Sequence, residues 1–175
     1  MHALPAEGLR PQVFVLAIGA GADLAAAYGL PMVIGAGARM VDAVGRYRAG
    51  FRASEWAAEP YVMVAANVAA GETSEEAALL QLPEAWSTAR SRTSGVFPPL
   101  GPAGEIAGLE MSARERAFLE ESLKGQIHGT EREAALALGS LVEASGADEV
   151  LVTMNTYDLD RRLDSYRRLA AAFPG

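Results

Sequence analysis

The sequence predicts an α/β fold built from parallel βα units, and three observations carry that expectation. Four short apolar runs alternate with stretches of helical periodicity, an order that calls for a parallel sheet crossed by right-handed helical connections. Two of the runs, Gln12 to Ile18 (QVFVLAI) and Tyr61 to Ala70 (YVMVAANVAA), are too continuously apolar for a strand with one wet face. Three Ser/Thr-x-x-Glu sequences, Thr73 with Glu76, Ser112 with Glu115 and Thr130 with Glu133, mark helix starts where a hydroxyl and a carboxylate satisfy the free amides of the first turn.

Taken in order, Pro11 and Gly19-Ala20-Gly21 bracket the first run, which reads as a fully buried strand. A helix over Asp23 to Tyr28 follows, and Gly29-Leu30-Pro31 ends it before the second strand, Met32 to Ile34. From Arg39 the positions Met40, Val44, Tyr47 and Phe51 share one helical face. Pro60 opens the third strand. Between the helices that begin near Thr73 and Ser112 lies Thr93 to Glu110, with three prolines, four glycines and no periodicity, which reads as a lid or a linker. Ala147-Asp148 leads into Glu149 to Thr153, a last buried strand, and the closing helix puts Leu159, Leu163, Tyr166, Leu169 and Phe173 on one face.

Composition bounds the function. The 175 residues fit a single domain, and 15 Lys+Arg against 22 Asp+Glu give a net charge of -7, which argues against nucleic acid or an anionic membrane as partner. With 35 alanines the core is expected to be close-packed and helix-rich. The absence of cysteine removes disulfides, thiolate metal sites and cysteine nucleophiles, and with only His2 and His128 no metal site is expected. No apolar run reaches the roughly 18 residues of a membrane span, and MHALPAEGLRP lacks the order of a secretory signal. The expectation is a cytoplasmic protein.

Ligands of parallel α/β proteins bind at the carboxyl ends of the strands, so the residues after each strand are the candidates. Gly19-Ala20-Gly21-Ala22-Asp23-Leu24 is a glycine-rich turn entering a helix, able to hold a phosphate on free amides or to be a tight turn alone. Leu24 stands where a dinucleotide fingerprint has its third glycine, so that reading is weak. Gly35-Ala36-Gly37 repeats the theme after the second strand. Asn67 interrupts the third strand and needs hydrogen-bond partners or a ligand. Asn155, Thr156, Tyr157 and Asp158 form a polar rim after the fourth, where Asp158 also suits a helix cap. His128 reads as a loop residue before a helix start, with general acid or base catalysis as its functional alternative. The arginines at 161, 162, 167 and 168 read as a face paired with Asp158, Asp160 and Asp164. No catalytic residue is assigned.

Four stretches carry a resemblance: Leu24 to Met32 after the glycine-rich turn, Tyr47 to Glu55, Pro60 to Val68 followed by ETSEEA, and Gly146 to Tyr157 before RRLDSYRRLA. Their order and spacing, from about Pro5 to Phe173, resemble the C-terminal half of a bacterial luciferase-like, flavin-dependent monooxygenase. The turn at His128-Gly129-Thr130-Glu131 resembles that family's Gly-Ser/Thr-Pro-Glu helix start without its proline. The resemblance implies a (β/α)8 barrel, reduced FMN at the carboxyl ends of the strands, and oxygen used to oxidise a small organic substrate such as an aldehyde. A whole barrel takes about 250 residues, so the chain would be a partial, half TIM-type barrel of about four strands. The half that carries the family's active-site histidine and an arginine for the FMN phosphate has no counterpart here.

The resemblance places the FMN phosphate on Ala17, Ile18, Gly19, Ala20, Gly21 and Ala22, where no hydroxyl stands. It puts Ile34, Gly35, Ala36, Asn67, Asn155 and Tyr157 around the flavin and substrate, and the family's mobile loop on Thr93 to Glu110. It also implies a homo-oligomer or a complementing half-barrel chain, with a flavin reductase as a possible partner, because a free half-barrel exposes two sheet edges and an apolar interior. The alternatives are a non-catalytic binding or assembly protein that retains the fold, and a small open sheet holding a nucleotide at Gly19 to Ala22.

Overall fold

The computed structural model describes residues 8, 9 and 11–173; His2, and Pro5 where the resemblance begins, lie outside them. The described residues form β1 (Val15–Leu16), α1 (Gly21–Tyr28), β2 (Met32–Gly35), α2 (Met40–Gly50), β3 (Val62–Gly71), α3 (Ser74–Ser94), α4 (Ala103–Ala107), α5 (Ala113–Leu123), β4 (Ile127–Thr130), α6 (Glu131–Ser145), β5 (Glu149–Thr153) and α7 (Leu159–Ala172). Strand pairing runs β1-β2-β3-β4, with β5 also on β3, and this is the parallel α/β architecture of a partial TIM-type barrel. The chain divides into two compact units, residues 1–64 with 145–150 and residues 65–144 with 151–175.

In the first unit β1 and β2 pair in parallel, Val15 with Met32 and Leu16 with Val33. The helix between them stops at Gly29, whose φ of 63° returns the chain through amide bonds to Ala25 and Ala26. Tyr47 on α2 is wholly buried, and its hydroxyl donates to the Leu30 carbonyl at 3.0 Å while accepting from the Tyr61 amide at 3.1 Å. That one side chain ties a helix to the starts of two strands, and burial raises its pKa above the ordinary phenol value. Asp148 makes the other tie: its carboxylate accepts from the Val62 amide at 2.8 Å and its own amide donates to the Val62 carbonyl at 2.9 Å.

In the second unit the last four residues of β3 pair in parallel with β4, from Val68 with Ile127 to Gly71 with Thr130. Ala69, Ala77, Leu80 and Met154 make a buried cluster against which Tyr166 packs. Ser165, fully buried on α7, accepts the Ala70 amide at 2.8 Å. The starts of α5 and α6 carry complete reciprocal capping pairs, Ser112 with Glu115 and Thr130 with Glu133. At α3 only the Thr73 hydroxyl caps, because Glu76 turns instead toward Arg161 at 3.9 Å.

Five expectations need correction. The run Gln12 to Ile18 is not a fully buried strand: regular pairing is confined to Val15–Leu16, and Leu16 and Ile18 are exposed by 63% and 78% because β1 ends the strand order and has one neighbour. Glu149 to Thr153 likewise alternates exposed and half-buried residues. A fifth strand, β4, places His128 in a ladder rather than a loop. On α7 the buried face is Ser165 and Leu169, whereas Leu159, Leu163 and Phe173 are exposed. The segment expected to be irregular also begins inside α3, which runs to Ser94, and contains α4.

Two stability predictions follow from this packing. A Cβ at residue 29 would lie 2.2 Å from the Arg52 carbonyl oxygen, whereas at residue 146, also left-handed with φ 60°, nothing lies within 4 Å. Gly29→Ala is therefore expected to cost clearly more than the roughly 1 kcal/mol of left-handed strain expected for Gly146→Ala, as read by urea unfolding. The carboxyl of Glu115 is held at about 2 by the Ser112 hydroxyl, the Ser112 amide and Arg90; that of Glu133 is held at about 2 by the Ser74 hydroxyl and the amide and hydroxyl of Thr130. Both folded values lie below the unfolded value of about 4.3, so this stabilisation is complete above that pH and is lost as pH falls toward 2. Thermal melts should fall across that window, and the double change Glu115→Gln with Glu133→Gln should flatten the slope; an unchanged slope would assign the acid limb to other groups.

Candidate functional site

Each unit holds part of the predicted site. In the first unit, a cavity of about 410 Å³ opens at the carboxyl ends of β1 and β2. Ala17, Ile18, Gly19 and Ala22 line one side, Ile34, Gly35 and Gly37 another, and α2 closes it with Arg39, Met40, Asp42, Ala43 and Arg46. Ala20 and Gly21 complete the turn, and Ala36 lies between two lining glycines. Gly19 takes φ 60°, which lets β1 turn directly into α1. The helix begins with no side-chain cap at Ala20. Gly21 donates to the Ile18 carbonyl and Leu24 to that of Ala20, which leaves the Ala22 and Asp23 amides without an acceptor among the described residues. Arg46 is paired with Asp23 at 3.2 Å, and Arg39 has no ion-pair partner among the described residues. Free amides at a helix start beside an unspent guanidinium suit a phosphate monoester, so the residues present fit the phosphate end of a nucleotide-like cofactor without any hydroxyl.

The second unit holds Asn67, Asn155 and Tyr157. Asn67 Nδ2 donates to one oxygen of Glu84 at 2.7 Å, and Asn155 Nδ2 donates to the other at 2.8 Å. A carboxylate only accepts, so both amide nitrogens are fixed toward Glu84 and both side-chain oxygens are turned away from it. Gln81, one helical turn before Glu84 and 1% exposed, donates to the Ile127 carbonyl at 2.8 Å and reaches Asn67 Oδ1 at 3.4 Å. Its Oε1 faces His128 Nδ1 at 3.2 Å. Tyr157 lies elsewhere, on a cavity of about 330 Å³ shared with Thr156, Arg161, Leu79 and the Pro102-Ala103-Gly104 start of α4. Among the described residues no group of three His, Asp or Glu side chains is placed to hold a metal ion, and no helix is long and apolar enough to cross a membrane.

Sequence reasoning missed Arg39, Arg46, Gln81 and Glu84. The one signal for the last two was a glutamine inside the apolar stretch Ala77 to Leu82, since such a residue must find partners across the fold.

No protein-family profile matches the chain. Curated relatives match at 26% to 29% identity, and the chain spans about half their length. One, from Escherichia coli K12, is described as a luciferase-like monooxygenase and is 26% identical over 94% of this chain and 51% of its own. Among solved structures, apo-MsnO8 superposes with a TM-score of 0.82 at 26% identity, over 97% of this chain and 53% of that one. The oxygenating constituent of 3,6-diketocamphane monooxygenase from Pseudomonas putida, a type II Baeyer-Villiger monooxygenase in complex with FMN, shares the fold at 18% identity with a TM-score of 0.63, over 94% of this chain and 48% of that one.

The carboxylate of Glu84 is the shared acceptor of two amides, so Glu84→Gln must set one NH2 group against another. The expected result is a loss of about 1.5–3 kcal/mol in chemical denaturation, with Asn67→Ala recovering part of it in the double variant. A neutral Glu84→Gln would contradict the assigned network.

Proposed function

We propose that this chain, which resembles luciferase-like monooxygenases over about half the length of its relatives, supplies the C-terminal half of a flavin-dependent monooxygenase barrel. The observation that carries the reading is the paired coverage: relatives align along 94% to 99% of this chain but along only 51% to 53% of themselves. Exposed apolar residues support it from both units. In the first, Leu16 and Ile18 on and after the edge strand and Leu24 and Tyr28 on α1 are exposed; in the second, Leu159, Leu163 and Phe173 on α7 are exposed. A complementing half-barrel, carried by another chain, another segment or a second copy of this one, would cover such surfaces.

In this reading FMN lies at the carboxyl ends of the strands. When bound and reduced it supplies the electrons with which one atom of O2 enters the substrate and the other leaves as water. The Ala22 and Asp23 amides and Arg39 hold its phosphate dianion, Gly35 and Ile34 border it, and Gly19 keeps the turn narrow. In the second unit Asn67 and Asn155, oriented by Glu84, offer side-chain carbonyl oxygens to a donor group of a bound molecule. The segment from Thr93 to Glu110 serves as the lid. A second reading, a binding or assembly protein that retains the fold without catalysis, draws on one specific feature: the turn from Ala17 to Ala22 contains no hydroxyl.

Titration with FMN, followed by flavin absorbance and tryptophan fluorescence, separates the two. The proposal expects saturable binding that weakens about tenfold or more in Arg39→Ala, the loss of one charge-assisted contact to phosphate. A folded protein that shows no saturation, or an affinity indifferent to Arg39, would move the assignment to the non-catalytic reading.

A further inference from the structure

His128 stands in β4, and its surroundings fix more than the sequence does. The Gln81 side chain is buried and clamped at two points. Its Nε2 lies 2.8 Å from the Ile127 carbonyl oxygen, an atom that only accepts, so the amide nitrogen belongs on that side. Its Oε1 is then the atom 3.2 Å from His128 Nδ1. Because Oε1 also only accepts, Nδ1 must carry the proton, and in the neutral ring the lone pair is on Nε2. That nitrogen has no hydrogen-bond partner among the described residues.

The ring borders a cavity of about 390 Å³ in the second unit, lined by Ala78, Leu79, Leu82 and Leu123 together with Glu75 and Gln81. The size is that of a small-molecule site. Four aliphatic walls offer nothing to a charged group, and the Glu75 carboxylate repels an anion, so a phosphate or carboxylate ligand is excluded. His128 Nε2, on an exposed ring, and the Glu75 carboxylate are both acceptors, so the site selects a molecule with an aliphatic or aromatic body that carries an O–H or N–H donor.

We propose that this cavity is a binding site for a small neutral apolar molecule bearing one hydroxyl or N–H group, which it donates to His128 Nε2, and that Gln81 is the positioning residue that fixes the acceptor tautomer. The site does not rest on the flavin reading: its residues are distinct from those assigned to the FMN phosphate, and a chain that fails to bind FMN leaves it standing.

Two measurements on the full chain test it. The first is nitrogen-15 NMR of the imidazoles at pH about 8.5, where an ordinary histidine is neutral; with two histidines in the sequence, His128→Ala assigns the signals. The Nδ1–H form is expected for His128, and a dominant Nε2–H form would overturn the proposal. The second compares p-cresol with toluene, which share a body and differ in the donor. Binding of p-cresol should be about three- to tenfold tighter, the worth of one neutral hydrogen bond, and the preference should shrink to less than about twofold in His128→Ala. Equal binding of the two, no binding of either, or a preference that survives in His128→Ala would each overturn it. Gln81→Leu should preserve toluene binding while mixing the tautomers; if that variant fails to fold, the wild-type tautomer still decides.

Discussion

A β-strand at the end of a sheet leaves a row of amides and carbonyls without partners, and β1 carries that constraint through the first unit. It is two residues long in regular pairing, it has β2 on one side, and the apolar residues on and beyond it face outward. Parallel sheets are normally covered on both faces, because the crossover helices that connect the strands lie against them. Here α1 brings its alanines inward, with Ala25 fully buried, yet presents Leu24 and Tyr28 to solvent. On α7 Ser165 and Leu169 are buried, while Leu159 and Leu163, and Phe173 just beyond its end, are exposed. Apolar stripes on the first and last helices are what a chain shows when its neighbours in a barrel are to be found elsewhere.

The same βα geometry explains why the chemistry of the two units differs. At the start of α1 the turn supplies amides without a side-chain cap, and Arg39 at the start of α2, on the same cavity, has no ion-pair partner among the described residues, the pattern that favours an anion. Around α3 the pattern reverses. Glu84 takes one N–H each from Asn67 and Asn155, and Gln81 Nε2 donates to the Ile127 carbonyl and toward Asn67 Oδ1, so the acceptors without a donor among the described residues are Asn155 Oδ1 and His128 Nε2. A fixed supply of donors at one place and acceptors at another is a specificity device, since a ligand that cannot match it leaves polar groups unpaired.

Much of this was legible in the sequence where the cause is local. Gly29 before Leu30-Pro31 marks the end of α1 because only a left-handed residue closes that turn, and Met40, Val44 and Tyr47 mark the buried face of α2 because helical spacing alone brings them together. Ser112 and Glu115 cap α5 through atoms three residues apart. The turn from Gly19 to Ala22 and the residue Gly35 follow from the rule that strands end at sites, Ala17, Ile18 and Ile34 from the resemblance, and one cavity gathers six of the residues so selected. What escaped depends on distant partners. IHGT has no strand signature, and becomes β4 only because the end of β3 pairs with it. Glu84 looks like any solvated helix glutamate until strands β3 and β5 deliver two asparagines to it. The spacing along α7 puts its apolar residues on one face, but periodicity reports that a face is apolar, not that anything in the chain covers it.

The claim that the chain is one half of a larger barrel is tested most directly by its mass in solution. Multi-angle light scattering of the purified chain across a tenfold concentration range should give a species at least twice 18.3 kDa, because burial of β1, α1 and α7 surfaces against another copy is the one cover available in a pure sample. A monodisperse 18.3 kDa species that also melts in one cooperative transition would contradict the account, for it would mean that the open edge and the apolar stripes are stable in water without a complement.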